Sequence, residues 1–334
     1  MGEIEKRRQY TEKRTKELQA SLLHARELLG DKACVYATGS FGRLEASSES
    51  DLDLFILGKG DPSKVRDDNI KESQLRHLDE ICIKADLIEA TRDLNFPDFD
   101  GDGKYLAHYS VDEFTKTLGK PEDDAKNTLT GRLLLFLESK PLLGESVYLE
   151  IIDEVIAAYW RDYSDHKNNF MPAYLTNDIL RLWRTFCVNY EARTVRQPDD
   201  KKIKGKIKNY KLKHSRMFTC YSALLYLLAV FTRNKTVSPS DATEMTRYTP
   251  TQRLEWLLDQ SDFKHAEEKI KNLIDQYEVF LSHTSGGDDA LFDIFSDPHK
   301  SSRYMEESYK FGDLMFQAMS AIGGETRLFR LILV

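Results

Sequence analysis

GSFGRLEASSESDLDLFIL, residues 39–57, decides how the rest of the chain is read. Asp51 and Asp53 stand two apart in the run DLDLFIL, where Leu52, Leu54 and Ile56 predict a mostly buried strand over 51–57. On a strand such positions share a face, so both carboxylates emerge together, about 6.6 Å apart along the backbone. Two desolvated carboxylates aimed at one spot repel each other, and with no cation present one of them should take up a proton. A divalent cation removes that conflict, and Mg²⁺ prefers a carboxylate or two completed by substrate phosphates.

Gly39-Ser40 supplies the complement. It follows ACVYAT at 33–38, which reads as a short buried strand, and leads into a helix opening at 41–46. Glycine lets backbone approach a phosphate closely, the free N–H groups of a helix start bind anions, and the Ser40 hydroxyl adds a donor. Arg43, one turn on, could pair with a phosphate or brace the carboxylates; a structural ion pair is its other reading. Two metal ions about 3.5–4 Å apart on such a pair would activate an attacking oxygen and neutralise a triphosphate in an in-line displacement, so two Mg²⁺ (or Mn²⁺) are the expected cofactor. A third carboxylate is expected from a neighbouring strand. The stretch 81–91 reads as that strand, Asp86 is the choice, and Glu89 is the fallback.

Working outward, residues 4–30 predict an amphipathic helix ended by Gly30, and GKGDP at 58–62 closes the second strand. Residues 63–80 look helical and NFPDFDGDG at 95–103 looks like a loop. Beyond it the apolar pattern is helical, clearest at 130–139, 148–163, 177–191, 218–232, 251–257 and 266–280. The expectation is an α/β (α+β) catalytic domain over 1–115, a helical substrate-binding domain over 116–282, and a C-terminal piece over 283–334. In that last piece 283–303 reads as a loop, and the apolar tail LFRLILV must dock on the body to avoid water.

A length of 334 residues with 41% hydrophobic and 31% charged residues indicates a globular chain with a real core rather than a disordered one. The net charge of −7 excludes a general electrostatic trap for nucleic acid, so any phosphate site must be a local basic patch. Cys34, Cys82, Cys187 and Cys220 stand singly, without the paired spacing of a zinc or disulfide framework. The charged N-terminus is unlike a signal peptide, and the apolar run at 223–231 falls short of the ~20 residues of a membrane span. A cytoplasmic protein without membrane insertion is expected.

The helical half carries polar groups with a pattern. Asn177, Arg181 and Arg184 recur at i, i+4 and i+7, as one wall of a phosphate-bearing cleft would, or as a buried ion-pair network would. The run at 200–216, DKKIKGKIKNYKLKHSR, is the one dense basic stretch. Either it is a solvated face, or Lys208, Lys211 and Lys213 hold a triphosphate or a growing strand with Tyr210 free to stack on a base. Tyr304 and Tyr309 follow the expected loop. They are packing residues, or a tyrosine on a mobile arm that primes synthesis with its hydroxyl.

Gly39-Ser40 with Asp51-x-Asp53 resembles the signature of the polymerase-β-like nucleotidyltransferase superfamily. The fuller form, GSxxR followed by SDxDL, resembles the branch of the PII-uridylyltransferase and cyclic-oligonucleotide-synthase types. That resemblance implies a small mixed sheet with helices on one side, a helical partner domain, Mg²⁺, and a nucleoside triphosphate as substrate. No His-Asp pair of a phosphohydrolase domain is present, which departs from the PII-uridylyltransferase type, and the helical half is longer than in kanamycin-modifying enzymes. In length and helical half the chain is similar to bacterial anti-phage defence nucleotidyltransferases, including the Hailong type that makes DNA oligomers. This implies an NTP or dNTP substrate, an oligonucleotide or cyclic product, and an effector protein encoded nearby. Transfer of a single nucleotide, AMPylation or uridylylation of a protein or small-molecule hydroxyl, is the alternative.

Overall fold

The apolar runs on either side of Gly39-Ser40 become the two central strands of a four-stranded mixed sheet. The computed structural model describes residues 2–99, 106–194 and 199–334, so positions 100–103 of the expected loop lie outside the described residues. The chain divides into two compact units, 3–161 and 162–334.

In the first unit the order is α1 (Glu3–Ser21), α2 (Leu23–Leu29), β1 (Ala33–Thr38), α3 (Gly39–Gly42), β2 (Asp53–Gly58), β3 (Gly60–Val65), β4 (Lys71–Ser73), α4 (His77–Asp93), β5 (His108–Ser110), α5 (Val111–Lys116), α6 (Pro121–Ala125), α7 (Thr128–Leu137), β6 (Lys140–Leu143) and α8 (Glu145–Tyr159). The sheet runs β5-β2-β1-β6, with β1 antiparallel to β2 and β6 and β5 parallel to β2. β1 is buried at every position because both its faces are covered, which is why it reads as a continuous apolar run. Val35, Ala37, Leu54 and Ile56 pack with Leu18, Leu22, Leu29, Ile83 and Leu87 from α1, α4 and their surroundings. On the opposite face Tyr36 stacks on Phe55 at 5.5 Å and meets Tyr148 of α8 at 6.1 Å.

Five expectations are corrected here. The stretch 81–91 is helix, not a third strand: Ile83, Leu87 and Ala90 are buried at i, i+4 and i+7, whereas Ile81 and Cys82 are exposed. Residues 63–80 hold the exposed β3–β4 hairpin before α4 begins. The N-terminal helix is broken at Leu22, whose φ and ψ are −105° and 37°. Helices cover both faces of the sheet, because β6 returns to pair with β1 and brings α7 and α8 with it. The first unit therefore extends to residue 161, past the expected boundary at 115.

The second unit is helical: α9 (Ala173–Thr194), α10 (Asp199–Lys211), α11 (Met217–Asn234), α12 (Pro239–Arg247), α13 (Pro250–Leu258), α14 (Glu267–His283), α15 (Gly287–Ser296), α16 (Pro298–Gly323) and α17 (Arg327–Leu333). A π-helical turn, Leu212–Arg216, joins α10 to α11. Ser238 and Thr249 form capping boxes that start α12 and α13, each with proline in the first turn. The centre is α11, packed against α9, α13 and α16. By length and composition 201–234 could cross a membrane, but 78% of its apolar window is buried inside the unit, as in a core helix. The expected loop at 283–303 is instead α15 and the start of α16; Leu291 and Phe295 give α15 a buried stripe. The apolar tail docks as α17, with Leu328, Phe329 and Ile332 buried.

Candidate active site

β1 ends at Thr38, directly opposite Asp53, the first residue of β2. The chain then turns sharply at Gly39, which adopts φ +62°, a left-handed conformation that side chains disfavour. A Cβ on Gly39 would stand 2.6 Å from the Asp53 Oδ2. The glycine thus serves two needs at once: it makes the turn, and it leaves the Asp53 carboxylate room against the backbone. Asp51 precedes the strand and is exposed; Asp53 is half-buried, with Leu52 between them in the core. Ser40 is half-buried in the short turn α3, where its carbonyl accepts from Glu45 N at 2.8 Å.

The loop from Arg43 to Ser50 leads into Asp51 and Asp53, and buried polar contacts fix it. Arg43 Nε donates to Glu45 Oε2 at 2.8 Å, and its NH1 donates to Glu138 Oε2 at 2.7 Å. All three side chains are nearly buried. Of the two readings of Arg43, the structure places it in the ion pairs. Arg7 reaches from α1 to the Glu45 carbonyl at 3.0 Å, and Thr11 Oγ1 accepts from Ala46 N at 2.9 Å. Gly42 completes the fit, since a Cβ there would lie 1.9 Å from the Glu138 carbonyl oxygen. Reading the sequence missed Arg7, Thr11, Gly42, Glu45 and Glu138. Their only signal is a buried charge or a small residue, and neither shows its partner ninety residues away.

Asp86 does not join Asp51 and Asp53. It lies on α4 and pairs with His24 Nδ1 at 2.8 Å, and Glu89 is exposed on the same helix. No set of three or more His, Cys, Asp or Glu side chains converges for a metal among the described residues. The two remaining carboxylates still fit a divalent cation. Both are oxygen donors, two positions apart, and the missing Cβ of Gly39 leaves room for the Asp53 carboxylate; Mg²⁺ takes a carboxylate or two from protein when phosphates complete its shell.

The groups expected in the helical half lie in the second unit. Asn177, Arg181 and Arg184 share one face of α9 and line a groove. Lys208 is exposed, Lys211 pairs with Asp288 at 2.5 Å, and Lys213 lies over the Tyr309 ring at 4.1 Å. Tyr210 is fully buried and cannot stack on a base; it packs against Phe280, Phe295 and Tyr304. Tyr304 stacks on His283 at 4.5 Å, and burial together with Glu307 pushes its hydroxyl above the ordinary range. Both Tyr304 and Tyr309 belong to the 26-residue α16, not to a mobile arm.

No curated protein matches the chain. Residues 22–94, from the break at Leu22 to the end of α4, match the family model described as a nucleotidyltransferase domain. Domains of this family transfer nucleoside monophosphates and generally use divalent metal ions. Gly39, Ser40, Asp51 and Asp53 all fall inside the matched span, so over residues 22–94 the chain is similar to nucleotidyltransferase domains, which supports the polymerase-β-like resemblance.

Proposed function

We propose that the chain transfers a nucleoside or deoxynucleoside monophosphate from a nucleoside triphosphate to an acceptor hydroxyl at Asp51 and Asp53. The observation that carries this reading is the Asp53 carboxylate held against the open backbone of Gly39. Divalent metal on Asp51 and Asp53 would neutralise the triphosphate and favour ionisation of the acceptor hydroxyl. The acceptor oxygen bonds to the α-phosphorus, the bond to the β-phosphate oxygen breaks, pyrophosphate leaves, and the acceptor proton passes to solvent. Ser40 adds a hydroxyl donor for phosphate oxygens, while Arg43, Glu45 and Glu138 keep the carboxylate loop in place.

For the acceptor we favour a growing oligonucleotide made in the cytoplasm as a defence signal, in keeping with the sequence resemblance. Its support in the second unit is the exposed row Lys201, Lys204 and Lys208, at i, i+3 and i+7 on α10. Tyrosine priming is not part of the proposal, because Tyr304 sits within the aromatic packing of α16. Incubation with each labelled NTP and dNTP plus Mg²⁺ or Mn²⁺ should release pyrophosphate and give a ladder or a cycle. A single increment on an added protein or small molecule would favour AMPylation or uridylylation instead. Asp51→Asn with Asp53→Asn should cut pyrophosphate release by more than ~10³-fold. Undiminished release by that double variant would overturn the assignment.

A further inference from the structure

The second unit holds a groove of about 440 Å³ between one face of α9 and the residues of α17. Asn177, Arg181, Arg184 and Val188 line it from α9 at i, i+4, i+7 and i+11, so two guanidinium groups on one face are followed, one turn on, by an apolar side chain. Leu180 and Leu331 extend the apolar wall. Arg181 leans on the buried Asp178 at 3.7 Å, and Arg184 is exposed three residues on.

Guanidinium forks on neighbouring turns match the oxygens of a phosphate better than any other common anion of this size except a carboxylate. The apolar wall beginning one turn away distinguishes further: an inorganic phosphate has nothing to offer it, whereas the flat face of a base does. Asn177 can donate and accept, as recognition of a sugar hydroxyl or phosphate oxygen requires. The volume lies within the ~300–1,000 Å³ of small-molecule sites.

We infer that this groove is a nucleoside-phosphate site belonging to the second unit, with the phosphate on Arg181 and Arg184 and the base against Leu180, Val188 and Leu331. Binding here needs neither Asp51 nor Asp53, so the groove and the transfer chemistry succeed or fail separately.

The test uses the full chain carrying Asp51→Asn and Asp53→Asn, in EDTA, with calorimetric titration of the four ribonucleoside monophosphates and of pyrophosphate. At least one monophosphate should bind tenfold or more tighter than pyrophosphate. Adding Arg181→Gln and Arg184→Gln should weaken it tenfold or more, and Val188→Ser should weaken the nucleotide while leaving pyrophosphate unchanged. Arg184→Gln alone changes an exposed side chain without disturbing the fold, and should still cost threefold or more. Absence of binding by all four monophosphates, equal binding of pyrophosphate, or unchanged affinity in both arginine variants would overturn the assignment. Pyrophosphate release by the otherwise unmodified chain reports on the transfer reading independently.

Discussion

The two units place their arginines in opposite ways. In the first, Arg43 is nearly buried and held by Glu45 and Glu138, with its charge used up inside the protein. In the second, Arg184 stands exposed on a groove wall. The first arrangement sets the loop that precedes Asp51 and Asp53; the second presents a guanidinium group on a groove wall. The difference teaches that an arginine one turn after a Gly-Ser turn need not touch substrate to matter for it. It also makes the first unit intolerant of small changes, because its site is built from backbone in contact with backbone and carboxylate.

The largest single-residue effect on transfer should come from one methyl group. Gly39→Ala puts a Cβ 2.6 Å from Asp53 Oδ2 at φ +62°, so the carboxylate must swing away. Transfer should drop about 10²-fold, as a misplacement near 1 Å costs, while stability falls by only ~1–2 kcal/mol. Rates and urea melts on the same preparation separate the two. An activity loss no greater than the stability loss explains would break the contrast between the units.

Next comes Arg43→Met, which leaves Glu45 and Glu138 buried without their shared cation. Removing one partner of such a buried network costs about 3–5 kcal/mol, readable as a lower urea midpoint. If Arg43→Met unfolds at the wild-type midpoint but abolishes transfer, Arg43 acts on substrate and the comparison fails.

The smallest expected effect is a pH slope in the second unit. Burial among Phe280 and Phe311, helped by His283 and Lys213, pushes His214 down to about 4, against the hydrogen bond its Nδ1 donates to the Tyr210 carbonyl at 2.9 Å. The unfolded chain takes up this proton near pH 6.5 and the folded chain only near 4. The stability it confers is therefore fully present above pH 6.5 and is lost as pH falls toward 4. His214→Phe should flatten the Tm profile between pH 7.5 and 4.5; an unchanged slope would assign it to another group.

How much of this was legible varies with the kind of signal. The β1 strand, the turn at Gly39 and most of β2 were readable because each signal is local, a period or a turn residue, although β2 begins at Asp53 and leaves Asp51 outside the expected strand 51–57. The helix α4 was not, since ICIKADLIEAT satisfies an alternating pattern and a helical one equally until burial shows that Ile83, Leu87 and Ala90 face inward. That error carried Asp86 with it, because its claim rested on being in a strand. Tyr210 was misread for a similar reason: a tyrosine among lysines looks exposed, yet its turn of α10 faces Phe280 and Phe295. Lastly, β6 is four residues long and contains a proline, too little to announce a strand, yet its pairing with β1 moves the unit boundary past residue 115.

The contacts that hold the 43–50 loop also set an order of events in time. They come from Arg7 and Thr11 at the start of the chain and from Glu138 near the end of the first unit. While the chain is being made, Asp51 and Asp53 emerge early but have no fixed loop to stand on until residue 138 has followed and the first helix has docked. Pairings so far apart in sequence form late in folding. The loop that precedes Asp51 and Asp53 is therefore set only when the first unit closes, late in the folding of that unit.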